Sequence, residues 1–417
     1  MRRAGAAALG VVIAATSLSL AVGFIVKDLC TKRNWDGYQY RTSCYNDIYA
    51  LYSFRGLGTH DHDGVPHEPH FPYVDGDGDL DTENDGDLEY PVLTGYVVGA
   101  IARIASGGQA FFRLNALALA AGAFAAALTL MQMRATPRRL LLFALAPSLM
   151  LYAFHNWDLL AVAAATVGLL AFQRRFDGWT GIALGLGAAA KLYPGLLLVP
   201  LALVRAREDR QGAARLFGAG VVSFVAVNLP VMLINFRGWL TPWEFNSSRF
   251  PNYETSWYMI YRHLAKPGES FWFEEYTSIT SMASLALFAV GAVTLLRAEA
   301  RRGVMRPWEL CFGVMLIFLL TAKVYSPQFA LWILPFLVLV PLPWPAIGAF
   351  FVTDAAVWFA ISSYFLASPP VAAGDPELRM TLVEIAVFAR YAVLGWMLWL
   401  TRRPNDASVP ALLPQTT

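Results

Sequence analysis

The chain has 417 residues, of which 57% are hydrophobic and only 15% charged, and its mean hydropathy is +0.46. Charged residues make up about 25% of soluble domains, so an ordinary soluble enzyme, a disordered chain, a collagen and a disulfide scaffold are excluded, and the chain belongs in a bilayer. The net charge of +2 sums 32 basic and 30 acidic residues; in a membrane protein the side each charge occupies is what carries information.

The first apolar run, 4–26, follows Arg2 and Arg3. It has no clear small-residue cleavage site and many spans follow it, which predicts an uncleaved helix with its N-terminus in the cytoplasm. The connection after it, 27–109, is predicted to be a large extracytoplasmic loop with interfacial helices. Cys30 and Cys44 fall there. They read either as a disulfide, worth around 3 kcal/mol for so short a loop, or as two free thiols in a half-buried helix. The segment from Cys44 to Arg55 reads as an interfacial amphipathic helix whose one carboxylate is Asp47. A carboxylate flanked by aromatics at an interface suits a general base; Asn46 and Asp47 are equally good helix caps.

Between His60 and Glu89 lie eleven acidic residues and no Lys or Arg. Asp75, Asp77, Asp79 and Asp81 alternate with other residues, a spacing that lets carboxylates converge on a hard cation such as Ca²⁺. The EF-hand glycine and glutamate positions do not match, which leaves a looser structural calcium loop or a solvated acidic loop. His60, His62, His67 and His70 share a Gly/Pro-rich stretch without a thiolate pair and read as a mobile loop rather than a zinc site. Residues 91–106 are predicted as an interfacial helix, because a crossing there would put Arg134, Arg138 and Arg139 outside.

Further apolar runs lie near 110–132, 139–154, 157–173, 178–190, 193–204, 214–235, 278–296, 308–323, 325–340, 345–366 and 380–401, which makes twelve predicted spans in one polytopic domain, 1–417. Arginines at 134–139, 174–175, 205–215, 297–306 and 402–403 then fall on one side with Arg2 and Arg3, satisfying the positive-inside rule at every cytoplasmic connection but Pro341 to Trp344. Both termini are expected inside. The short pair 178–190 and 193–204, broken at Lys191-Leu192-Tyr193-Pro194, covers only about 20 Å per helix and predicts a thinned membrane or a water-reached cavity. A second large extracytoplasmic loop is 236–277. Asp354 and Arg390 sit at matching depths in the last two spans and are predicted to form a structural ion pair.

Several segments together resemble the GT-C membrane glycosyltransferases, and most closely glycosyltransferase family 87, the polyprenyl-phosphate-mannose-dependent mannosyltransferases of actinobacteria. They are CYNDIYALY, EYPVLTG, HNWDLL, GIALGLGAAAKLYPGLLLVPL, FNSSRFPNYETSWY and KVYSPQFALWILP, in an order that covers nearly the whole chain. The resemblance implies a GT-C-like bundle in the bacterial cell membrane, a lipid-linked donor used on the extracytoplasmic face, Asp47 as catalytic base and inversion at the anomeric carbon. It also implies that no cofactor is required for catalysis. A departing polyprenyl phosphate needs cations, and Lys191, Arg249 and Lys323 are the candidates. Glu89, Tyr90, Asn156, Asp158, Tyr193, Ser326 and Gln328 are candidates for reading sugar or acceptor hydroxyls, and His155 either orients Asp158 or caps a span. The expected partners are a polyprenyl-phosphate sugar, a lipid or polysaccharide acceptor and membrane lipids, with no nucleic acid. Mannose is the expected sugar and arabinofuranose the second choice. A lipid or sugar transporter is the competing class, although the chain shows no repeat of its broken short pair.

Overall fold

A computed structural model describes residues 2–33, 35–58, 69–75, 88–133, 135–265, 273–303 and 305–403. Among the described residues the regular structure is helical, with no strand. Helix α1 (Arg2–Asp28) leads into the first connection, which holds α2 (Tyr38–Arg41), α3 (Asp47–Phe54) and α4 (Val92–Ile104). The chain continues through α5 (Gly108–Gln132), α6 (Pro137–Ala144), α7 (Pro147–Tyr152), α8 (Asp158–Gln173), α9 (Asp177–Ala190), α10 (Tyr193–Leu196), α11 (Leu198–Ala206) and α12 (Arg210–Ile234). The second connection is largely helical, as α13 (Phe236–Ser248) and α14 (Ser256–Leu264), before α15 (Phe273–Arg302), α16 (Pro307–Thr321), α17 (Ala330–Leu339), α18 (Trp344–Ala367) and α19 (Pro376–Thr401).

All twelve predicted runs contain helix. Six helices (α1, α5, α12, α15, α18, α19), with apolar stretches in helices of 24 to 30 residues, are long and apolar enough to cross a membrane. The others are shorter, and proline decides where three of them break. Pro147 cannot continue the hydrogen-bond ladder of α6, so 139–154 becomes two helices. Pro200 cannot donate to the carbonyl of Leu196, and 193–204 divides at Leu197. Pro327 opens a 3-10 turn (Pro327–Phe329) ahead of α17, so 322–326 stays extended rather than helical.

Arginines of the predicted cytoplasmic connections cap neighbouring helices. Arg139 donates to the carbonyls of Leu337 (3.2 Å), Val340 (2.6 Å) and Leu342 (3.3 Å) at the end of α17. The connection Pro341 to Trp344, which has no basic residue, thus takes its cation from an adjacent connection. Arg207 does the same for the Ala300 and Gly303 carbonyls after α15, and Arg306 for Thr401 at the end of α19. Each places positive charge where a helix leaves carbonyls unpaired.

At mid-helix, Arg390 Nη1 of α19 lies 3.8 Å from Asp354 Oδ1 of α18, with both side chains buried. The other Asp354 oxygen accepts from Ser148 Oγ at 3.0 Å. Arg390 Nη2 donates to the Glu254 carbonyl at 2.8 Å, and its guanidinium lies 3.7 Å from the centre of the Tyr325 ring. The pair therefore also ties down two loops, 249–255 and 322–326, that reach the cavity described next.

Candidate active site

Opposite the arginine-rich end lies a cavity of about 1600 Å³. The polarity of the helices fixes this placement: Arg174 and Arg175 precede α9 while Lys191 follows it. Asp47 reaches the cavity from the N-terminus of α3.

Several ties hold Asp47 in place. The buried Lys27 at the end of α1 donates to the carbonyls of Ser43 (2.9 Å) and Tyr45 (2.7 Å). A disulfide joins Cys30 to Cys44, with Cα atoms 5.4 Å apart. The backbone N–H of Asp47 donates to the carbonyl of His155 at 2.8 Å. Asn46 Oδ1 caps α3 by accepting from Tyr49 N–H at 2.8 Å, so the capping task falls to Asn46 and the Asp47 carboxylate is left to the cavity. The helix accordingly starts at Asp47, not Cys44. Tyr90 Oη donates to Asp47 Oδ2 at 2.9 Å.

The cations divide in an unexpected way. Lys191 Nζ sits 3.3 Å from Asp158 Oδ2, 4.8 Å from the Tyr90 ring centre and 5.6 Å from that of Phe329. Arg249 lines the cavity, its guanidinium 5.4 Å from the Phe245 ring, with no hydrogen bond or ion pair from its side chain among the described residues. Lys323 also lines it, beyond the end of α16, but donates to Ser247 O (2.8 Å), Arg249 O (2.7 Å) and Ser281 Oγ (2.6 Å). All three ammonium hydrogens are spent on protein. Through these bonds Lys323 fixes the backbone of Ser247 and Arg249. Burial, then the charge of Arg249, pulls its pKa down to about 8.

Of the predicted hydroxyl-reading residues, Glu89, Tyr90, Asn156, Tyr193, Ser326 and Gln328 line the cavity. Asp158 does not: it is fully buried, one oxygen facing Lys191 and the other accepting from Trp332 Nε1 at 2.5 Å. Both oxygens are engaged in the wall, one of them with Lys191. Asn156 Oδ1 accepts from Asp158 N–H, and its amide nitrogen lies 3.5 Å from Tyr90 Oη. The Tyr193 hydroxyl and Gln328 Oε1 are buried with no hydrogen-bond partner among the described residues, as befits groups that await a ligand hydroxyl. Glu89 faces Arg55 Nε at 3.3 Å, and burial pushes its carboxyl above the usual range against the pull of that arginine. His155 neither orients Asp158 nor caps a helix through its ring, which lies 5.5 Å from Tyr45 and 5.4 Å from Trp358.

Asp77, Asp79, Asp81, His60, His62 and His67 lie outside the described residues. Asp75 is described: its carboxylate accepts from Phe71 N–H at 2.7 Å, closing a local turn. Among the described residues no three His, Cys, Asp or Glu side chains converge on a metal site. Three residues that the sequence analysis does not single out help to build the site: Lys27 through its bonds to the Ser43 and Tyr45 carbonyls, Trp332 through Asp158, and Glu254, which lines the cavity.

Comparison with known proteins gives three findings. No curated protein matches the sequence closely enough to count as a relative. Among solved structures, the oligosaccharyltransferase of Archaeoglobus fulgidus in its apo form aligns over 95% of this chain and 57% of its own, at 12% identity and a TM-score of 0.38; the chain thus spans little more than half the length of that enzyme. The family model for glycosyltransferase family 87 matches residues 90–321, which include Tyr90, Asn156, Lys191 and Arg249. A match over more than half of a chain built of long apolar helices shows that this protein belongs to glycosyltransferase family 87.

Proposed function

We propose that the protein transfers a mannosyl group from a polyprenyl-phosphate donor to a hydroxyl of a lipid or glycan acceptor on the extracytoplasmic face, with inversion. One observation carries the reading: Asp47, oriented by Tyr90, shares a single cavity with Lys191 and Arg249. In the proposed step Asp47 takes the proton of the acceptor hydroxyl, whose oxygen forms a bond to the anomeric carbon. The bond from that carbon to the phosphate oxygen breaks and its electron pair leaves with polyprenyl phosphate. Lys191 and Arg249 stabilise the leaving group through charge-assisted hydrogen bonds, and Lys323 holds Arg249. Phosphate departs as a stable anion, so the step uses no separate general acid and is drawn with no metal cofactor.

The apolar flank of the cavity, from Leu192 and Leu196 beside α10 to Leu285 and Phe288 of α15 and Phe318 of α16, suits an isoprenoid chain that enters sideways from lipid. The extracytoplasmic reading is supported by the cavity's lying across the helices from the connections that carry Arg139, Arg174, Arg175, Arg207 and Arg306. The test is sugar transfer by purified protein from polyprenyl-phosphate mannose and from the arabinofuranose analogue. Asp47→Asn is expected to lose about 10²- to 10⁴-fold in kcat while still binding donor. Undiminished turnover in that variant would remove Asp47 as base, and lipid movement without transfer would favour a transporter.

A further inference from the structure

Most of α15 is open to lipid, but its inner face is polar. Thr277, Thr280 and Ser284 are buried there. With Ser281 they fall at i, i+3, i+4 and i+7, so four hydroxyls form one stripe along the helix. Three of the four have the partner usual in an apolar helix, a carbonyl one turn back. Thr277 Oγ1 donates to Phe273 O (2.8 Å), Thr280 Oγ1 to Tyr276 O (2.8 Å) and Ser281 Oγ to Thr277 O (2.7 Å). Ser284 is the exception. Its hydroxyl is buried with no hydrogen-bond partner among the described residues, while the residue lines the cavity. A buried hydroxyl left unpaired is costly, which marks this one for a ligand oxygen.

The wall changes character on either side of Ser284. One turn toward the start of α15, Ser281 Oγ accepts from Lys323 Nζ at 2.6 Å, and the same ammonium holds the Arg249 carbonyl. In the other direction Leu285, which is 69% exposed, and Phe288 line the cavity and carry it out toward lipid. Ser284 thus stands between the cationic end and the apolar flank, about 4.5 Å of helix rise beyond Ser281 and about 6 Å before Phe288.

Resting on the glycosyl-transfer reading, we infer that Ser284 recognises the head-to-tail junction of the lipid donor: its hydroxyl donates to the ester oxygen that joins phosphate to the first isoprene unit. Lys191 and Arg249 take the charged phosphate oxygens, where a cation gains most. The ester oxygen carries little charge and borders hydrocarbon. A cation placed there would be stranded, whereas a neutral hydroxyl is not. The ester bond also survives the reaction, because the bond that breaks joins the other side of the phosphate to the anomeric carbon. Ser284 therefore holds the donor and the departing lipid alike. Such uniform binding lowers KM and leaves kcat unchanged, which separates Ser284 from Arg249, whose cation meets charge that develops in the transition state.

The test pairs a variant with an analogue, using the purified full chain in lipid nanodiscs. Undecaprenyl phosphate is compared with the phosphonate in which a methylene replaces the ester oxygen, each titrated by microscale thermophoresis. The wild type is expected to bind the phosphate about fivefold more tightly, the factor of one hydrogen bond to a neutral oxygen. Ser284→Ala should bind both lipids equally, at the affinity the wild type shows for the phosphonate, and that shared affinity reports that the variant is folded. In transfer assays Ser284→Ala should raise donor KM by the same factor with kcat unchanged. A preference for the phosphate that persists in Ser284→Ala would overturn the inference and leave the donor reading standing, as would a fall in kcat without a rise in KM. A wild type that binds neither lipid would overturn both.

Discussion

Asn46 and Asp47 are neighbours with the same capping chemistry, and the fold gives them different work because only one side chain faces back over the first turn of α3. Asp47 then accepts a hydrogen bond from Tyr90 in the cavity. Tyr90→Phe removes the donor that orients the base but leaves the ring under Lys191 in place. The expected result is a fall in kcat of about tenfold, the value of one hydrogen bond to a charged group, with little change in donor KM; a change confined to KM would show that Tyr90 reads substrate instead. Lys323 makes a pH prediction. With its pKa lowered to about 8, it is cationic below that pH and neutral above it, and only the cation both holds the Arg249 loop with three hydrogen bonds and adds positive potential. Donor KM is therefore expected to rise as pH passes upward through about 8, and the Lys323→Arg variant, which stays charged, should lack that limb in a pH profile of KM.

Helix packing at α9 turns on which glycines are covered. A Cβ on Gly181 would sit 2.1 Å from the Leu216 carbonyl of α12, and one on Gly185 2.2 Å from the Gly220 carbonyl, so these two helices approach backbone to backbone. Gly178, one turn earlier, has nothing within 4 Å. Gly181→Ala is expected to lower the melting temperature in detergent sharply, whereas Gly178→Ala should leave it unchanged or raise it, by up to about 1 kcal/mol of helix propensity. Equal melting temperatures would mean that the interface relaxes. The Asp354–Arg390 pair is a second element-scale test. Arg390→Leu strands a buried carboxylate and is expected to cost about 3–5 kcal/mol. Adding Asp354→Asn should recover part of the melting temperature but not donor or acceptor KM, since Arg390 also holds the Glu254 carbonyl and the face of Tyr325. Full recovery of KM in the double variant would reduce the pair to a structural role.

Across the whole molecule, the arginines at one end and the cavity at the other specify an orientation that side-specific labelling can read. Cys30 and Cys44 are bonded and Cys311 is buried, so introduced cysteines report without background from these three. Ser106→Cys is expected to react with a membrane-impermeant thiol reagent applied from outside intact cells, and Arg301→Cys only after the membrane is opened; the reverse pattern would place the cavity in the cytoplasm. Much of this architecture was legible in the sequence, because hydropathy and arginine placement act locally along the chain. The helical runs, the site-bearing breaks after α9 and α16, and the pairing of depths between Asp354 and Arg390 all follow from spacing. What spacing does not show is the partner far along the chain that engages a given group. Asp158 and Lys323 have the right residue types in the right places, yet Trp332 and Lys191 claim one, and Ser247, Arg249 and Ser281 the other. The Glu254 carbonyl is held by Arg390, more than a hundred positions away. By itself, then, the sequence determined a membrane-embedded helical body with its cations sorted by side, since the bilayer reads each segment's transfer free energy almost independently. Only the tertiary structure decided which charged groups face the cavity and which are consumed in its walls, because a buried hydrogen-bond donor or acceptor is committed by whichever partner the fold brings within 3 Å or so of it.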